Sequence, residues 1–146
     1  MLGLLGTKAP LVSDISLLLE ISILIVLFVG RRYAKKGKYK THGFIMTSAV
    51  TLHALTILLV MTPSFALFVD VLGSDPAILG LIGTIIVSIH VPAGLVAEIL
   101  GVLFVAQWGF KPTIGCIKRR RLMLPLFLLW ALSSILGIAI YAVYFL

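Results

Sequence analysis

Five residues of this sequence carry chemistry that their surroundings do not explain. His42, His53, His90, Glu20 and Glu98 all lie in or beside long apolar stretches. An ionisable side chain in hydrocarbon is costly, so its presence is a functional hypothesis by default. Imidazoles ligate haem iron or carry protons, and carboxylates orient imidazoles or relay protons. His42 and His53 are eleven residues apart in THGFIMTSAVTLHALTILLVM. That spacing makes almost three helical turns with an error of roughly 20°, so both fall on one helix face, with Met46 and Ala49 between them. It also sets His53 roughly 16 Å into the membrane from His42. If this helix and the next reverse near Gly73, residues whose numbers total about 146 share a depth. His53 then matches position 93, and His90 lies within a turn of it, so the two imidazoles are expected to face each other near the bilayer centre.

The elements that must position these groups are membrane helices. The chain has 146 residues, 61% hydrophobic and 12% charged, with a mean hydropathy of +1.21. Soluble domains carry about a quarter charged residues. About 20 helical residues cross the hydrocarbon, and four segments qualify: Leu11 to Gly30, Gly43 to Val69, Pro76 to Trp108, and Leu122 to Leu146. The expected fold is all-α, an integral membrane four-helix bundle with antiparallel up-down neighbours, in one membrane domain over 1–146. Pro63 and Pro92 fall inside helices and are expected to kink them. The opening MLGLLGTKAP has no basic start and is broken by Lys8 and Pro10, which reads as a short exposed lead-in rather than a signal peptide.

The net charge is +7, and all Lys and Arg except Lys8 sit in RRYAKKGKYK or FKPTIGCIKRRR. The loop between the second and third segments, DVLGSD, holds Asp70 and Asp75 and no base. The positive-inside rule puts both basic loops in the cytoplasm and both chain ends outside, in a multi-pass protein of the plasma membrane. These loops set topology and touch anionic headgroups. Aromatic residues do not interleave the Arg run, so nucleic-acid binding is not expected. Tyr33, Tyr39, Trp108 and Tyr144 stand near segment ends as interfacial anchors. The lone Cys116 excludes an internal disulfide and reads as a structural or incidental thiol. Gly-rich phosphate loops, a nucleophile elbow and a metalloprotease His pair are all missing, so the chain does not read as an enzyme.

Two readings of the buried polar set stay open. On the third segment, a stripe of Gly80, Gly83, Val87, His90, Gly94, Ala97 and Gly101 permits close approach of something flat or of another backbone. Beside it, His53 and His90 would form the axial pair of a b-type haem, with Thr56, Ser88 or Glu98 holding the other ring nitrogen. Alternatively the small residues are ordinary helix packing, and each histidine bonds across a helix pair. Glu20 and Glu98 read as a polar bridge between helices or as a proton relay, and Ser13, Ser16 and Glu20 make an inward polar stripe. His42, at the cytoplasmic edge, is a solvated cap, a point of proton access, a haem-propionate partner or the mouth of a quinol site. Asp14 is expected to be solvated.

Several motifs carry a resemblance over about Gly30 to Tyr144: the basic loop leading to THGFIM with His42 and Met46, the VSIH with His90, and KRRRLMLPLFLLWALSSILGIAIYAVY with Trp130, Gly137 and Tyr141. In these the chain resembles the four-helix membrane family known as domain of unknown function 420. The resemblance implies an accessory role in the respiratory chain, because members are implicated in maturation of haem-copper terminal oxidases, and it makes haem handling and electron relay natural expectations. The family pattern has a further His in the basic run opening the last helix. Here that run is Lys118, Arg119, Arg120 and Arg121, so a haem site built from the second and fourth helices is in doubt. Three functions are therefore expected in order: a non-enzymatic respiratory accessory protein holding haem b or assisting oxidase assembly, a cofactor-free assembly subunit of a membrane complex, and a small proton-coupled transporter that would work as a homo-oligomer.

Overall fold

The computed structural model describes residues 3–66, 69, 80–108 and 120–146. Four helices run through it: α1 (Leu11–Lys35), α2 (Tyr39–Thr56), α3 (Gly80–Trp108) and α4 (Arg120–Phe145). A π-helical turn, Ile57–Met61, continues α2, and the apolar span reaches Ala66. All four are long and apolar enough to cross a membrane. Each helix packs on its sequence neighbour and α4 closes back on α1, which makes a four-helix integral membrane bundle. Asp70, Asp75, Pro76 and Cys116 lie outside the described residues.

The first basic stretch is mostly helix. α1 runs past Gly30 to Lys35, and α2 begins at Tyr39 rather than Gly43. Lys and Arg are good helix formers whose long stems reach water from the interface, so the edge of the hydrocarbon is not the end of the helix. Arg32 and Lys35 also oppose the helix dipole in the last turn. The reversal takes only Lys36 to Lys38. Gly37 adopts φ 72° and its N–H bonds Ala34 O at 3.0 Å, the left-handed glycine stop that side chains resist.

Proline shapes the far end of the second span. Pro63 has no N–H to offer the preceding turn, and the chain relaxes by widening it. The Thr62 N–H reaches back five residues to Ile57 O, and its Oγ1 donates to the same carbonyl at 2.8 Å. α3 stays helical through Pro92.

The bundle is solid at the end of the first basic turn and hollow towards the other. Ile23, Leu27, Ala49, Val50, Ala97, Leu126, Phe127 and Trp130 form the packed core. Phe28 meets Phe127 edge-on at 5.3 Å, and the Arg31 guanidinium covers the Phe127 ring at 4.6 Å. At the opposite end the lead-in is folded, not free. Asp14 is wholly buried, against the solvated position expected for it. It accepts from Leu5 N–H (3.0 Å) and from the Tyr141 hydroxyl, while Thr7 Oγ1 lies 2.8 Å from Tyr141 Oη. A carboxylate at a membrane helix start is stabilised by just such donors and by the helix dipole.

Candidate functional site

Above the packed core lies a cavity of about 360 Å³ to which all four helices contribute, and its lining is mainly apolar. Glu20, His53 and His90 line it, with Ser13 and Ser16 of α1 and Ser133 and Gly137 of α4. The inward polar stripe read from α1 is therefore real: Ser13, Ser16 and Glu20 share the cavity wall.

His53 forms the floor. It is 2% exposed, and its Nδ1 donates to Glu98 Oε2 at 2.8 Å. Trp130 packs on the same imidazole, ring centroids 5.1 Å apart. This polar tie joins α2 to α3 one layer above the core. Thr56 is not the group that holds the ring, since its hydroxyl bonds back to Leu52 O.

His90 and Ser133 clasp each other. His90 Nδ1–H donates to Ser133 O at 2.9 Å, and Ser133 Oγ donates to His90 O at 3.2 Å. The first bond settles the tautomer: neutral His90 keeps its proton on Nδ1 and leaves Nε2 as an open acceptor. Gly137 makes this possible. A β-carbon there would stand 3.1 Å from His90 Cε1 and 3.6 Å from Glu20 Cδ, so the imidazole and the carboxyl converge over one bare backbone position. Glu20 is 3% exposed, and its Oε2 has no hydrogen-bond partner among the described residues. An orphaned buried carboxyl oxygen is costly and asks for an explanation.

His42 and His53 are both buried, yet they serve different neighbours. His42 Nδ1–H donates to Gly30 O of α1 at 2.9 Å, and His42 does not line the cavity. It ties α1 to α2 below the core. Glu98 also lies off the cavity wall, spent on His53, with Oε1 unpaired among the described residues.

The register of α2 against α3 differs from the one expected. His53 meets Glu98, and Val50 would touch a β-carbon at Gly101 at 3.1 Å. Both contacts pair residues whose numbers total 151 rather than about 146. His90 then stands level with Met61, eight residues or about 12 Å along the bundle from His53. Three glycines of the stripe have side chains packed over them, while Gly80 faces open space. Tyr144 covers Gly83, Ser133 sits over Gly94, and Trp130 with Val50 over Gly101. Each histidine on its own has the anchored Nδ1 that suits an iron ligand. As a pair, His53 and His90 do not stand level as expected, although both line the one cavity. Among the described residues no group of three His, Cys, Asp or Glu could hold a metal ion.

No family model, curated protein or solved structure matches this chain.

Proposed function

We propose that this chain is a small, non-enzymatic accessory protein of a respiratory membrane that holds a lipid-soluble ligand in its bundle cavity, in support of the assembly of a terminal oxidase or a kindred membrane complex. One observation carries the reading: an apolar cavity into which Glu20 and His90 converge with unspent hydrogen-bonding capacity. Such cavities, mainly apolar with a few convergent polar groups, are the usual form of a ligand site. The respiratory setting rests on the resemblance; of the residues that carry it, His90, Gly137 and Tyr141 line the cavity and Trp130 packs on its floor, while His42 and Met46 lie off its wall.

The cofactor-free assembly subunit is the second reading. It is favoured by His42 and His53, which act as ties between helices. Extraction of detergent-purified protein, followed by mass spectrometry and an oxidised-minus-reduced spectrum with and without added hemin, separates the two. The first reading expects one lipid-soluble compound per chain, lost in Ser16→Phe, and no six-coordinate bis-histidine spectrum. A folded protein that extracts clean supports the second. A six-coordinate spectrum abolished by both His53→Ala and His90→Ala would restore the axial pair.

A further inference from the structure

Among the described residues the cavity extends to the apolar outer surface of α3. Val91 and Leu95 of α3 line it and are exposed on the surface, at 37% and 53%. In the same register Ile57, Val60, Met61 and Ser64 stand across from Gly94, Val91, His90 and Val87, and all eight face the cavity. The two helices that touch at His53–Glu98 therefore spread around it beyond the π turn. A ligand reaches Glu20 and His90 from within the hydrocarbon.

The chemistry at the head of the site is one-sided. Held through Nδ1–H, the His90 ring in its neutral form accepts at Nε2, and Glu20 has a carboxyl oxygen without a partner among the described residues, in a group that accepts whether or not it carries a proton. A ligand that donates completes both acceptors. An ammonium would have to shed its hydration in hydrocarbon to enter, which is costly. A fatty acid or phospholipid head brings mainly acceptor oxygens. A neutral, flat, hydroxyl-bearing ring meets these requirements: it crosses lipid, and it donates to the His90 and Glu20 groups that converge over Gly137. Ser16 stands one turn from Glu20 on the same face, about 6 Å away along the helix, close to the span of a ring with an oxygen at each end.

We infer that the cavity is a binding site for a membrane quinol, held in its reduced form by Glu20 and His90 with Ser16 at the far hydroxyl. This rests on the reading that the cavity holds a lipid-soluble ligand. It concerns binding only, and no electron leaves the quinol here.

Preference for the reduced form is the signature, because a quinone offers acceptors to acceptors. Leaving a buried acceptor without a donor costs about tenfold or more in affinity. The experiment is anaerobic calorimetric titration of the detergent-purified full chain with decylubiquinol and, separately, decylubiquinone. Wild type is expected to bind one quinol per chain at least about tenfold tighter than quinone. Glu20→Gln supplies a donor amide and is expected to shrink that preference to within about threefold, which a merely structural carboxyl would not do. If Glu20→Gln fails to fold, Ser16→Phe is expected to remove binding of both forms. Equal or inverted preference in wild type, an unchanged preference in Glu20→Gln, or unchanged binding in Ser16→Phe overturns the inference. If neither form binds while a lipid still co-purifies, the ligand cavity stands and the quinol falls. If nothing binds or co-purifies, both fall.

Discussion

At the scale of single residues, the molecule separates polar groups that are spent from those that are free. His53, His42 and one oxygen of Glu98 are spent on neighbouring helices. Removing the carboxylate in Glu98→Ala leaves the His53 Nδ1–H buried without an acceptor, at a cost of about 1–3 kcal/mol. Thermal unfolding in detergent checks this. A double-mutant cycle with His53→Ala is expected to show favourable coupling, and additive effects would break the assignment. Gly137→Ala places a carbon 3.1 Å from His90 Cε1, so the ring must swing. The expected result is weakened ligand retention with the helical content intact, read by extraction and circular dichroism together.

At the scale of elements, backbone chemistry decides where helices stop and widen. Gly37 sits at φ 72°, and Gly37→Ala is expected to cost about 1 kcal/mol with no change in the cavity. Gly101 is a packing position between Trp130 and Val50. Gly101→Leu overpacks that layer and is expected to cost about 1–3 kcal/mol, again read by unfolding in detergent. Helix lengths were largely legible in the chain: four apolar stretches announce four spans. The helical basic stretch was not, because hydropathy marks where lipid ends and says nothing about where backbone hydrogen bonding ends. The π turn before Pro63 was legible only as a kink, since a missing N–H tells where the ladder breaks and not how it is repaired.

At the scale of the whole molecule, four spans return the chain to the side it started from. The basic turns are expected in the cytoplasm and Leu146 outside. Single cysteines at Lys36 and Leu146 in a Cys116→Ser background, labelled by an impermeant maleimide in intact cells and in inverted vesicles, test this. Labelling of Leu146 in intact cells and of Lys36 only in inverted vesicles is the expected pattern, and the reverse would turn the protein over. The lead-in is fastened by Asp14, Thr7 and Tyr141 at the end opposite the first basic turn. Tyr141→Phe is expected to speed amide exchange over residues 4 to 9 without changing the exchange of the Ile23–Leu27 core.

By itself the sequence determined the membrane class, the number of spans, the polar stripe on α1 and the identity of the ionisable groups, because these follow from composition and from periods within one helix. Only the tertiary structure decided which groups meet. A register shift of a few residues between α2 and α3 moved His53 from His90 to Glu98, and side chains of α4, distant along the chain, came to pack over Gly83, Gly94 and Gly101 of the stripe that looked open. Depth and partnership depend on how independent helices slide and rotate against one another. That is settled by contacts between elements, and no period within a single helix encodes it.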